Sequence, residues 1–403
     1  MIKHIFAGIF SCIVFTVSGQ QFSFDTSSRW SATPALHPSS GTFDSCSAVG
    51  VYDSRIIHFV IAKDEIYMRT VYHRIVRINS DRGIEMFNKI YIPMYRESEV
   101  SGIRARTILP GGKVVDLPES KVKEIEEEGR RYKLFAMEGV ERGAEIEYTY
   151  TIRRPMNPFG IEVFQDKSVP YEQVRFNLVA PAHLAFHVKG FNGFRVSSDS
   201  LIGEQRIIAG FDSNVPALEP EKYAVTDRYL RRVMYKMNYN LSSDTPEEMY
   251  TWKDFAKRAL SAYTSLDEKE EKAMDKLADR IDISSASSEA EKILLIEDYI
   301  KRNFNIDDKL FGADVEDLDR VLKTRNTNRD GAVRMFAALF DRNRITYHLV
   351  FPSDRYSFPI EEDPENWNSV EQILFYFPKT GKYIDPEASS LRYPFIPPAL
   401  AGG

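Results

Sequence analysis

The sequence predicts an α+β protein, an N-terminal antiparallel β-sandwich followed by a helix-rich α+β unit. Three observations carry this expectation. From about Val51 to residue 225 the apolar residues alternate with period two and are punctuated by short turns. Beyond Ser243 the period becomes that of amphipathic helices. The stretch TRNTNRDGAVRMFAALFDRNRITYHLV, Thr324 to Val350, reads as loop, helix, tight break and strand.

The 403 residues are enough for two or three domains with sizeable cores. Hydrophobic residues make up 43% and charged residues 28%, an ordinary globular balance. The formal net charge is -6 and there is no long basic tract, which argues against a nucleic-acid groove. The 26 Phe and 21 Tyr fit sheet packing. Residues 1–19 read as a secretory signal peptide. Lys3 and His4 precede the apolar run Ile5 to Val17, and small residues at Ser18-Gly19 mark cleavage near Gly19 or Gln20. The run is too short for a comfortable transmembrane helix, and no later stretch replaces it. A lipid anchor on Cys12 would leave IVFTV on the mature chain, so plain export is the expectation, to the periplasm or outside the cell. Cleavage leaves Cys46 alone, which excludes an internal disulfide and a cysteine zinc site.

Residues 20–50, rich in Ser, Thr, Pro and Gly, read as a leader arm pinned by Trp30. In the 51–225 block, strands are expected over Ile66 to Ile78, Ile84 to Pro93, Val100 to Leu109 and Lys113 to Leu117, the last two joined by a Pro110-Gly111-Gly112 turn. Ser120 to Arg131 is charged and reads as an exposed loop. Further strands are expected over Lys133 to Phe135, Glu145 to Ile152, Phe164 to Val169 and Tyr171 to Val179, with a hairpin pair within Phe186 to Ile208. After a crossing segment from Glu219 to Arg231, residues 226–403 form the second unit. Ser243 or Asp244 is expected to cap a helix using Tyr250, Trp252, Phe255 and Leu260. A second helix spans Glu268 to Ile281. A third, Glu289 to Asn303, is led by Ser287 or Ser288 and carries Ile293, Ile296, Ile300 and Phe304 on one face. In the Thr324–Val350 stretch the helix begins near Asp330 or Gly331, with Asp330 as cap, and breaks around Asn343.

The motifs RTVYHRIVRIN, VSGIRARTILPGGKVVDLP, FAMEGVERGAEIEYTYTIR and FQDKSVPYEQVRFNLVAP occur in that order. They resemble a domain of unknown function, DUF3857, which precedes transglutaminase-like domains in exported Bacteroidetes proteins. TWKDFAKRAL, SEAEKILLIEDYIKRNFNI, the MFAALF helix and YIDPE resemble the core of a transglutaminase-like, papain-fold α+β domain. Together the resemblances cover about residues 55 to 395. They allow a further small β domain beyond the end of this sequence.

That family's chemistry requires a thiolate at a helix N-terminus, an imidazole, and a carboxylate to orient it. Alignment of the helix puts Arg329, or within a residue Asn328 or Asp330, in the nucleophile's place, and an arginine cannot act as one. The histidine's place falls in Asn366-Trp367-Asn368-Ser369-Val370, at Asn368 or Ser369. Only Asp385 matches the third position. The hydroxyls of Thr324, Thr327 and Ser369 lack a general base, since His348 reads as a strand residue. Arg329 is expected to bridge Asp385, to line a ligand cleft with Trp367 and Tyr383, or simply to face water. The degenerate-cleft candidates are therefore Arg329, Asp330, Trp367, Asn368, Tyr383 and Asp385, with no catalytic residue among them. His58 and His73 lack metal-ligand spacing and His183/His187 lies outside a helix, so no metal is expected. No phosphate loop implies a cofactor. The expected function is non-catalytic binding or scaffolding, with a protein, peptide or cell-envelope glycan as partner. The alternative is an active hydrolase or cross-linking enzyme with a non-standard constellation.

Overall fold

The computed structural model describes residues 30–401 except positions 63, 64, 128 and 371. The expected signal segment, Cys12 and the start of the leader arm lie outside the described residues. Long alternating runs make β1 (Ala48–Ala62) and β2 (Glu65–Ile78), which pair antiparallel along their length. A short helix α1 (Asp81–Phe87) follows, then β3 (Lys89–Met94), β4 (Glu99–Ile108), β5 (Val114–Asp116), β6 (Lys123–Glu127), β7 (Arg130–Ala136) and β8 (Glu145–Pro155). Next come β9 (Phe159–Val163), β10 (Tyr171–Pro181), β11 (Leu184–Phe191), β12 (Arg195–Val196), β13 (Ser200–Ile202), β14 (Gln205–Val215) and β15 (Arg232–Asn240).

The main sheet runs β12-β14-β10-β1-β2-β8-β4-β5, with β13 beside β14. Two three-stranded sheets, β3-β7-β6 and β11-β15-β9, complete this β-rich region. Its pairings are antiparallel apart from β1 against β10, which is parallel and departs from the all-antiparallel expectation. Two apolar cores join the layers. Ile90, Ile92 and Phe135 pack on Ile146, Tyr148 and Ile152 at one end. Phe186, Val233 and Tyr235 pack on Ile57, Phe59 and Phe176 at the other.

Several boundaries differ from the sequence expectation for identifiable reasons. Ile84 to Phe87 is helical because the Ser80 hydroxyl accepts the Gly83 N–H and caps the turn. Lys123–Glu127 is a strand after all; its charges face Arg131 and Lys133 across an exposed hairpin through Glu124. Phe164 to Val169 is a turn, because the Asp166 carboxylate accepts the N–H groups of Ser168 and Val169. Arg232–Asn240, buried on both faces through Met237, is the central strand of its sheet, so the β-rich region runs to Asn240.

The chain then becomes helical: α2 (Trp252–Thr264), α3 (Glu268–Ala278), α4 (Glu289–Asn303), β16 (Asn305–Ile306), α5 (Leu318–Thr324), β17 (Asn326–Thr327) and α6 (Arg329–Arg342). A three-stranded sheet closes it: β18 (His348–Val350), β19 (Leu374–Phe377) and β20 (Lys382–Ile384). Helix α2 begins at Trp252, not near Ser243, because Thr251 and Asp254 form a reciprocal capping box. Its inward stripe is the half-buried Phe255 and Tyr263 with the buried Ala259, whereas Leu260 faces solvent. Helix α6 is the centre of this region, with Val333, Phe336, Leu339 and Phe340 packed among the other helices and the sheet. The result is an α+β architecture, a β-rich region followed by a helical one. Among the described residues no helix is long and apolar enough to cross a membrane.

The arm pinned by Trp30 crosses the other face of the main sheet. The Trp30 ring lies 4.0 Å from the Arg106 guanidinium and 4.8 Å from that of Arg104. Arg106 also donates to the Ser31 carbonyl and to Glu147, whose second oxygen meets His73 at 2.8 Å. Burial alone would raise the Glu147 pKa, but His73 and Arg106 outweigh it and hold the carboxyl below its usual range. Glu147→Ala would leave the buried Arg106 guanidinium without its carboxylate and the buried His73 ring without its partner. Urea unfolding should show a loss of about 3–5 kcal/mol, and a loss under about 1 kcal/mol would refute this account.

Candidate functional site

The N-terminus of α6 is built by close packing. Asn328 is its cap, in place of the expected Asp330, and accepts the Gly331 N–H at 3.0 Å while donating to Glu316. A Cβ on Gly331 would lie 2.2 Å from Thr327 Oγ1 and 2.4 Å from the Val315 carbonyl, so only glycine lets the first turn sit there. Asp330 is one step into the helix and accepts the Tyr263 phenol at 2.9 Å, which ties α6 to α2. Burial, reinforced by Asp330, holds that phenol protonated well above its usual range.

Arg329 follows the cap directly. Its N–H donates to Asp308 at 3.1 Å, and its guanidinium lies 3.5 Å from Asp308 and 3.9 Å from Glu387. The expected bridge from Arg329 to Asp385 is not formed. Asp385 is buried, and its Oδ1 already accepts the N–H groups of Glu387 and Ala388, fixing its own turn. Burial, with Asp308 close by, pushes the Glu387 carboxyl up to about 7.

Beside this terminus lies a groove of about 330 Å³. One wall is the α2 stripe with Arg258, another is Arg329, and Phe351, Trp367, Val370, Gln372 and Ile373 complete it. The structure brings Arg329 and Trp367 into one lining, with Asp330 behind Tyr263. Asn368, the next residue after Trp367, instead lines a different cavity against the β-rich region. Tyr383 packs on Tyr376 across β19 and β20 and does not line the groove. Trp367 is also a junction residue, with ring centroids of Phe159, Tyr250 and Phe255 at 5.4 to 5.6 Å.

The sequence reading missed Arg258, Tyr263 and Phe351 in the lining, and Asp308 and Glu387 at the helix end. The α2 residues were discoverable, since Phe255, Ala259 and Tyr263 recur at helical spacing and Arg258 sits on the same edge. Asp308 carried no local signal. Cys46, the free cysteine among the described residues, lies in the arm, and His348 is exposed and stacks on Tyr376. The groove lining therefore supplies neither thiol nor imidazole, and among the described residues no His, Cys, Asp and Glu cluster has metal-binding geometry.

A DUF3857 domain is present: residues 68–218 match the family model described as "Domain of Unknown Function with solved-structure structure". No curated protein matches the chain. Among solved structures, a proposed protease from Parabacteroides distasonis is similar in fold, with a TM-score of 0.61 at 14% identity over 84% of this chain and 67% of that one. An M1 zinc metallopeptidase from Deinococcus radiodurans overlaps 54% of each chain at 7% identity, with a TM-score of 0.27, too low for a shared fold.

Two measurements check the site. Because its native pKa is raised, Glu387 contributes stability that is full below about 4.5 and is lost as the pH rises through about 7. Glu387→Gln should therefore raise the Tm relative to the parent at about pH 8 and leave it nearly unchanged at about pH 4. An equal shift at both would contradict the assignment. Gly331→Ala should lose about 1–3 kcal/mol by overpacking, read from denaturant midpoints.

Proposed function

We propose that this chain is an exported binding protein whose recognition surface is the groove beside the α6 N-terminus. The observation that carries this reading is the composition of the lining. An apolar and aromatic trough, Phe255, Ala259, Phe351, Trp367 and Ile373, is flanked by the guanidiniums of Arg258 and Arg329. Such a trough takes an apolar side chain, and arginine at its edge takes a carboxylate. The charged groups of the lining are guanidiniums beside a mainly apolar surface, so a peptide segment with an apolar and an acidic residue is preferred to a glycan. The order of α4, α5, α6 and the β18–β20 sheet, with Asp385 directly after the last strand, supports the degenerate papain-like reading of this region. The layered sheets likewise support a sandwich reading of the first.

One observation favours the alternative, a hydrolase with a non-standard constellation. Glu387, pushed up to about 7 beside Asp308, is a carboxyl poised to exchange protons. The two readings separate in one experiment. Short acidic–aromatic peptides would be titrated against the protein by fluorescence, and the mixture followed by mass spectrometry. Binding with intact peptide, weakened about tenfold or more by Arg258→Glu, is the expected result. Cleavage or cross-linking that disappears in Glu387→Gln would replace it with the enzyme.

A further inference from the structure

The main sheet is covered on one face by two small sheets, and between them runs a polar seam. The apolar core under β3 and β7 ends at Tyr150 and Ile152, and the core under β9 and β15 begins at Met68 and Phe164. Between these limits lies a cavity of about 480 Å³. It is lined from the sheet by Arg55, Thr70, Tyr72, Arg74, Tyr150 and Arg154, and from the covering layers by Tyr91, Tyr95 and β9.

The charges in this seam do not balance. Arg55 donates to Glu162 and Asp53, each at 2.9 Å, and Arg74 approaches the same Asp53 at 3.2 Å. Arg154 has no ion pair among the described residues, and its Nε is shut off from solvent without a hydrogen-bond partner. Three guanidiniums thus face two carboxylates. Thr70 is 1% exposed, and its hydroxyl is also without a partner. The Arg154 Nε and the Thr70 hydroxyl are buried donors left unmatched, which is costly unless something from outside supplies acceptors. Burial raises the phenols of Tyr72 and Tyr150, so both remain neutral donors at any physiological pH. At the mouth, Tyr91 and Tyr95 expose ring surface to solvent.

We propose that this cavity binds an acidic sugar, with its carboxylate on Arg154. The planar guanidinium matches a carboxylate in two parallel hydrogen bonds. The hydroxyl of Thr70 and the phenols of Tyr72 and Tyr150 suit ring hydroxyls. The exposed faces of Tyr91 and Tyr95 suit the C–H face of a pyranose. The volume falls in the range of small-molecule sites. The peptide groove is elsewhere, on the far side of Trp367, so this site stands independently of it.

The test is calorimetric titration of the full chain with glucuronate, glucose and acetate. Glucuronate should bind, with glucose and acetate each at least about tenfold weaker, because neither carries both recognition elements. Arg154→Gln should weaken glucuronate about tenfold or more. Tyr95→Ala, a change at an exposed rim that carries no folding risk, should weaken it several-fold. Arg153→Gln, on the opposite face beside Glu65, should leave it unchanged. No glucuronate binding, equal affinity for glucose or acetate, or an unaltered affinity in both Arg154→Gln and Tyr95→Ala overturns the proposal.

Discussion

One carboxylate holds the two regions in register. Glu365 Oε2 accepts the Lys236 ammonium at 2.6 Å, and its Oε1 accepts the Trp252 N–H, the first of α2, at 2.7 Å. Lys236 is buried in the central strand of its sheet and has Glu248 as its other partner. The same side chain therefore neutralises a buried cation of the β-rich region and meets the positive end of a helix in the next. Glu361 likewise meets the buried Arg232, and Asp363 meets Lys189 at the surface. Because α2 forms a wall of the groove, the groove's width follows from this acidic loop. Trp367, two residues beyond Glu365, fills the remaining space with aromatic contacts from both sides.

The main sheet shows how a β-layer can carry charge on both faces and still be buried. On the arm's side, Glu145 and Glu147 alternate along β8 with the apolar Ile146 and Tyr148 of the opposite face. Their partners Arg77, Arg106 and His73 come from the adjacent strands, so these polar contacts are cross-strand neighbours, set by register. The arm then closes over them, with the His37 backbone and ring on Glu145 and its carbonyl on Arg77. A slip of one residue in β8 would turn both glutamates into the apolar core. Register here is fixed electrostatically as well as by hydrophobic pattern.

These particulars explain what the sequence disclosed. The strand runs of β2, β8 and β10 and the Ile293-Ile296-Ile300 face of α4 were legible because their apolar residues repeat with the backbone period. Lys123–Glu127 was not, since an exposed hairpin has no apolar side to reveal. Arg232–Asn240 was obscured for the converse reason: buried on both faces, it lacks alternation, and its charges are satisfied by a loop more than a hundred residues later. The same distance hid Asp308 and Glu387, which reach the α6 terminus from separate segments. Arg329 and Trp367 were placed because each adjoins a local motif, whereas Tyr383 and Asn368, read from the same neighbourhoods, turn to other surfaces.

The α6 terminus retains a physical requirement independent of any cysteine. A buried helix presents partial positive charge and unpaired N–H groups at its start, and these need acceptors. In a thiolate enzyme the nucleophile meets part of that field. Here Asn328 accepts the Gly331 N–H and Asp308 accepts the Arg329 N–H, with Glu387 close behind. Arg329 adds a full positive charge where the helix already has its own, and the Asp308 and Glu387 carboxyls that face it make that conjunction tolerable. Burial, with Asp308 close by, makes the second hard to ionise and pushes the Glu387 carboxyl up to about 7. The arginine, the carboxyl pair and the raised pKa are thus one coupled arrangement, and a change in any one alters the charge that borders the groove.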